Sequence, residues 1–195
     1  MPGDDAWWWV VEHPSIFEDD GRLTFVRGAD ADAIFRAFDL DPAEARPRTL
    51  LETWGTGGEA YDGHSCVRVA VEGEWAAVIE PVRATGDASA RPSCLHTLGS
   101  EVFSVALTTM DAGELVYFRG GRMRFGMGLG EAYDSRGGEL AERFAEPLRD
   151  AGFFGPSGPR EPAVELVAAL AMGSRELGFT LTAGRCRGPL PTVYR

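Results

Sequence analysis

An α+β fold, an antiparallel β-sheet built from hairpins with helices at the N- and C-terminal ends, is what this 195-residue chain predicts. Three observations lead there. Apolar runs flank Gly73-Glu74, a second pair of runs flanks Gly120-Gly121, and helical periodicity is confined to the outer parts of the chain. Hairpins in the middle with helices outside them pack as an antiparallel sheet with segregated helices. The length fits one globular domain, 1–195.

The elements follow in order. Residues 7–12, "WWWVVE", are expected as a short helix stopped by the Pro14 that follows His13. "RLTFV" at 22–26 reads as a strand. Asp30 is placed as an N-cap with Asp32 in the first turn, and Ala31, Ile34, Phe35 and Phe38 fall on one helical face. Residues 39–66 read as irregular, the longest loop region of the chain. In the first hairpin, Val67, Val69 and Val71 share a face with Ala76 and Val78, and Ala70, Trp75, Ala77 and Ile79 share the other. Both faces are apolar, so this hairpin is expected to be covered on both sides. "RPSCLHTLG" reads as a short helix ending at Gly99, and "EVFSVAL" as the strand after it. "ELVYFR" and "RMRF" form the second hairpin. Leu140, Phe144 and Leu148 mark a helix that Pro147 should kink or split. A second helix begins near Pro162 with Ala163, Leu166, Val167, Leu170, Ser174 and Leu177 as its stripe. "GFTLT" closes the pattern as a strand or extended tail.

Several of these segments, "LTFVRG", "GEWAAVIEP", "SVALTTMDAGELVYFRGGRM" and "LAMGSRELGFTLT", resemble a family of uncharacterised actinobacterial proteins over most of residues 7–183. The stretch from Gly126 to Gly138 departs from that family's pattern. The resemblance implies a bacterial cytoplasmic protein and supplies neither an activity nor catalytic residues.

Charge narrows the function classes. Nineteen Lys+Arg stand against 30 Asp+Glu, a formal charge of -11. Such a surface repels bare nucleic acid and anionic membranes and suits a basic protein partner. The start of the chain lacks the basic-flanked apolar core of a signal peptide, and no apolar run is long enough to span a bilayer. Cys66, Cys94 and Cys186 are few, odd in number and widely spaced, which reads as reduced thiols in a cytoplasm.

The candidate sites come from pairs and clusters. "HSC" (His64, Cys66) and "CLH" (Cys94, His96) have ligand chemistry, but Cys94 and His96 on a helix would diverge, so no metal is expected. The same pairs are weighed as thiol nucleophiles with an adjacent base, against buried thiols as small hydrophobes. "WGTGGEA" and "FGMGLGEAY" lack the strand-glycine-helix context of a phosphate loop, and no motif implies a cofactor. In the second hairpin, Arg119 should face Arg122 and Tyr117 should face Arg124, with Val116, Phe118, Met123 and Phe125 toward the core. That arrangement gathers Tyr117, Arg119, Arg122 and Arg124 on one face, where they bind an anion or are neutralised by the chain's own carboxylates. At the start, α-helical winding sets Trp7 with Val10 and Val11, puts Trp8 on the flank, and turns Trp9 outward in line with His13. Trp9 and His13 are therefore the expected partner-binding residues. The function expected is a non-catalytic interaction or regulatory module for a basic protein partner, as in toxin neutralisation. The alternative is an enzyme or binding protein for a small anion on the arginine face.

Overall fold

The computed structural model describes residues 4–12, 16–17, 20–54, 66–82, 92–107, 113–129, 141–153 and 161–194. Their elements are a 3-10 helix Asp4–Val10, β1 Asp20–Arg27, α1 Ala31–Ala37, β2 Arg46–Arg48, α2 Leu50–Trp54, β3 Cys66–Glu72, β4 Trp75–Val82, α3 Pro92–Leu95, β5 Glu101–Leu107, β6 Gly113–Arg119, β7 Arg122–Leu129, α4 Ala141–Asp150, α5 Pro162–Leu177, α6 Ala183–Arg187 and β8 Leu190–Tyr194. The strands form one eight-stranded antiparallel sheet in the order β2-β8-β3-β4-β1-β5-β6-β7. The fold is α+β.

Local chemistry accounts for the well-read elements. The Asp30 carboxylate accepts the Ala33 N–H at 2.8 Å and starts α1. Thr49 and Glu52 form a reciprocal cap at the start of α2: the Thr49 N–H donates to Glu52 at 2.6 Å, and the Glu52 N–H donates back to the Thr49 hydroxyl at 3.3 Å. Those bonds from Thr49 hold the Glu52 carboxyl below its ordinary value. Glu72 pairs directly with Trp75, and Arg119 with Arg122, so both glycine-marked turns contain two residues. Gly120 and Gly121 have φ of 59° and 73°, the left-handed conformation that a two-residue turn of this hand demands.

Helices cover both faces of the sheet. On the first face Leu23, Phe25, Phe103, Val105, Leu115 and Phe125 pack under α4, α5, α6 and the N-terminal 3-10 helix. On the second face Val26, Val67, Val69, Ala76, Val78 and Val102 pack under Ile34, Phe35 and Phe38 of α1 and Leu95 of α3. The central hairpin divides as its alternation requires, with Val69 and Val78 on one side and Ala70 and Ala77 on the other.

Four expectations are corrected. Residues 42–54 of the expected loop hold a 3-10 turn, β2 and α2, while 55–65 lie outside the described residues. Pro147 does not split α4; it stands in the last turn, where its missing N–H removes little of the ladder. "GFTLT" is neither strand nor free tail. Phe179 and Leu181 are buried in the first core, and the final strand is the later "LPTVY", inserted between β2 and β3.

The fourth correction concerns the tryptophans. Trp8 is the exposed one at 38%, while Trp7 (4%) and Trp9 (9%) are buried. The cause is winding. A 3-10 helix turns about 120° per residue against about 100° in an α-helix, which brings Trp7 and Trp9 to within about 120° of each other instead of about 160°, so both face the core and Trp8 faces away. Trp7 and Trp9 stack at 6.0 Å, and Trp7 meets Phe25 and Phe179 edge-on at 5.9 and 6.1 Å. Trp9 is therefore core, and the outward residue of the run is Trp8. His13 lies outside the described residues.

Candidate functional site

Strand register assembles a charged row across the turn end of the sheet. Reading directly paired positions from β3 to β7 gives Glu72, Trp75, Arg27, Glu101, Arg119 and Arg122. Directly opposed residues share a face, so six strands contribute one line of side chains. Two backbone bonds lock the corner: Ser100 N–H to the Arg27 carbonyl at 3.1 Å, and Gly120 N–H to the Ser100 carbonyl at 3.0 Å.

Glu101 is the hub of this row. The Tyr117 hydroxyl donates to its Oε1 at 2.5 Å and Arg27 Nη1 to its Oε2 at 2.9 Å. Arg27 uses Nε and Nη2 on Glu74 Oε2, at 3.1 and 2.7 Å, and lies 5.9 Å from the Trp75 ring centroid. Burial pushes the Glu101 carboxyl up, but the Tyr117 and Arg27 hydrogen bonds and the Arg119 charge outweigh it and hold it below its ordinary value. Each oxygen of Glu101 thus already has a short donor. Arg119 Nε approaches Oε1 only to 3.8 Å, and the Arg119 side chain is 59% exposed. The Arg122 side chain is exposed and, among the described residues, has no ion pair or hydrogen bond.

The expected arginine face is therefore present only in part. Arg119 and Arg122 are directly opposed as the turn requires. A β-bulge then intervenes: Tyr117 pairs with Phe125 instead of Arg124, leaving Arg124 as the extra residue of the strand. Tyr117 is completely buried against Phe144 of α4 and serves Glu101, so it does not line an open surface. The expected core side also changes. Phe125 is buried with Tyr117, Phe118 and Val116 are half-buried, and Met123 is exposed.

Two buried polar clusters were not foreseen in the sequence. On the second face a row of paired positions runs Glu80, Arg22, Ala106, Glu114 and Gly128. Arg22 is buried and reaches over the small Ala106 to Glu114 Oε1 at 2.7 Å, with Nη1 on the Ser104 hydroxyl at 3.4 Å. Ser104 and Thr24 share a hydroxyl hydrogen bond of 2.8 Å. An arginine donor leaves a serine hydroxyl less nucleophilic, so this pair is not an activated Ser. The available signal was the alternation of Arg22 and Thr24 with Leu23 and Phe25. It marks which face each occupies and cannot show that the polar face is buried too.

The second cluster surrounds Arg68, which is completely buried on β3. Its Nη2 donates to the carbonyls of Arg48 and Gly188, both at 3.0 Å, tying β3 to the segments leading into α2 and β8. Burial lowers its pKa, and the thiols of Cys186 and Cys66 lie beside it. Burial also pushes the thiols up, Cys66 to about 12 and Cys186 to about 11, despite the Arg68 charge. Both remain protonated near neutral pH and are weak nucleophiles. Cys94 packs against the second core and the His96 ring stacks on Phe118 at 5.2 Å, so "CLH" serves packing there. His64 lies outside the described residues. Among the described residues no group of three or more His, Cys, Asp or Glu side chains is placed to hold a metal ion. The first half of "FGMGLGEAY" is strand β7 instead of a loop, and "GTGGEA" lies outside the described residues.

No helix among the described residues is long and apolar enough to cross a membrane. Comparison with protein-family models, with curated proteins and with solved structures gives no match for this chain.

Proposed function

We propose that this chain is an interaction module that binds a basic protein partner, in the manner of a protein that neutralises a basic toxin. The observation that carries the reading is an acidic layer over the second face. Asp30, Asp32, Asp39, Asp41 and Glu44 are all exposed on α1 and the turn after it, which pack on the second core. The basic residues of 30–48 are Arg36, Arg46 and Arg48. Arg36 pairs with Asp32 at 3.4 Å, and Arg46 turns onto the carbonyls of Ala43 and Ala45. The layer therefore projects net negative charge from a chain of formal charge -11, which steers a basic surface into encounter. Trp8 and Leu51 are exposed apolar side chains on the first-face side, away from this layer. Membership of the uncharacterised family that the motifs resemble, and a cytoplasmic place of action, belong to the same reading.

The test is recovery of the tagged chain from its native host at low ionic strength. A single basic protein should co-purify in near-equal amount and dissociate at about 0.5 M salt, where screening is strong. An Asp39→Asn, Asp41→Asn, Glu44→Gln variant, which removes three charges and keeps the Asp41 cap and the left-handed residue 39, should lose it at near wild-type melting temperature. Recovery of the same protein by the variant, or of nothing by either, overturns the proposal.

A further inference from the structure

The cross-sheet row ends in a pair of like charges that the fold leaves without a committed counter-ion. Arg119 and Arg122 are directly opposed across the Gly120-Gly121 turn, an arrangement that costs stability unless an anion stands between them. The nearest carboxylate, Glu101, has one oxygen on Tyr117 and the other on Arg27, and reaches Arg119 Nε at only 3.8 Å. The Arg122 side chain has no hydrogen bond or ion pair among the described residues. The pair is also held in place from behind. The turn glycines have fixed left-handed geometry, Gly120 N–H is bonded to Ser100, and Glu101 opposite Arg119 is buried and anchored by Tyr117. In a chain with 30 carboxylates and only 19 basic residues, two adjacent guanidinium groups with open N–H forks are an exception to the prevailing pairing.

We propose that Arg119 and Arg122 form an oxyanion-binding site for a phosphate group. A phosphate dianion neutralises both cations, and its oxygens accept two guanidinium forks at once, which chloride cannot do. Free phosphate and a phosphate monoester offer the same chemistry to this pair. The site is independent of the acidic layer, which lies over the other face and has the opposite charge.

The experiment is calorimetric titration and thermal melting of the whole chain with inorganic phosphate and with phosphoserine, each against chloride at equal ionic strength. A ligand at ten times its dissociation constant raises Tm of a domain this size by roughly 3–5 °C. Wild type should show that rise with phosphate and none with chloride. Arg119→Ala and Arg122→Ala should weaken phosphate binding at least tenfold, and Arg122→Ala in chloride should melt no lower than wild type because a repulsion is removed. Arg149→Ala, which deletes an exposed arginine of α4 whose side chain has no partner among the described residues, should bind as wild type does. Tighter binding of phosphoserine than of phosphate identifies an esterified ligand, and equal binding a free one; both support the site. Equal stabilisation by phosphate and chloride, or equal loss in Arg149→Ala and Arg122→Ala, overturns it.

Discussion

Trp7 and Trp8 differ by one position in the chain and by most of their environment. Trp7 packs edge-on against the stacked pair Phe25 and Phe179, while Trp8 faces outward. Trp7→Ala should therefore cost about 3–5 kcal/mol of unfolding free energy and Trp8→Ala less than about 1 kcal/mol, measured by urea denaturation. Comparable losses would place Trp8 in the core. The run "WWW" showed that one tryptophan must face away, but choosing which one required the helix type, and 3-10 against α winding is not written in three identical residues. Glu101 carries a pH prediction. Its folded pKa is depressed, so its contribution is complete above the unfolded value of about 4.3 and is lost as pH falls through the lower folded value. Glu101→Gln should be less stable than wild type at pH 7, and the gap should close progressively below about pH 4. A gap that stays constant down to pH 3 would show that the carboxylate charge does not hold Tyr117 and Arg27 together.

At the scale of elements, legibility tracked the range of the interactions that decide each one. Asp30 capping α1 and the two glycine-marked turns are local and were readable. β2 was not, because three residues including Pro47 form a strand only by pairing with β8, more than 140 positions later. The bulge at Arg124 was equally hidden, since "RMRF" alternates without a break and only packing of Phe125 beside Tyr117 forces the extra residue out. β8 thus joins β2 to the rest of the sheet, with Leu190, Thr192 and Val193 buried. Val193→Asp, which puts a charge into the second core, should unfold the chain or lower Tm by well over 10 °C. A soluble variant with near-native Tm would mean that β8 is an accessory strand. Helix α5 depends on Gly173 in the same way: a Cβ there would lie 2.6 Å from the Phe103 ring and 2.8 Å from that of Phe179. Gly173→Val should destabilise by about 2 kcal/mol or more, against the gain of about 0.5 kcal/mol that leaving glycine brings to a helix interior.

The whole molecule divides its charge by face. Inside, arginine charge is paired at Arg22 and carbonyl-bound at Arg68. Outside, the layer on α1 and the turn after it is acidic and the Arg119–Arg122 corner is basic. The net charge could be read from composition. The location of the acidic layer needed the sheet order, which puts α1 over the second face. All 19 basic residues of the chain are arginine. A carbodiimide, which joins carboxylates to amines, can therefore form no link between two side chains of this protein, and its side-chain carboxylates must find the lysines of another molecule. That makes zero-length cross-linking in native-host extract the most direct measurement of the central claim. The account predicts one discrete heavier species, with isopeptide bonds mapping from Asp39, Asp41 or Glu44 to lysines of a single basic protein, and its disappearance at about 0.5 M salt. A chain that stays uncross-linked in that extract, or links spread over many proteins and all faces alike, would contradict it.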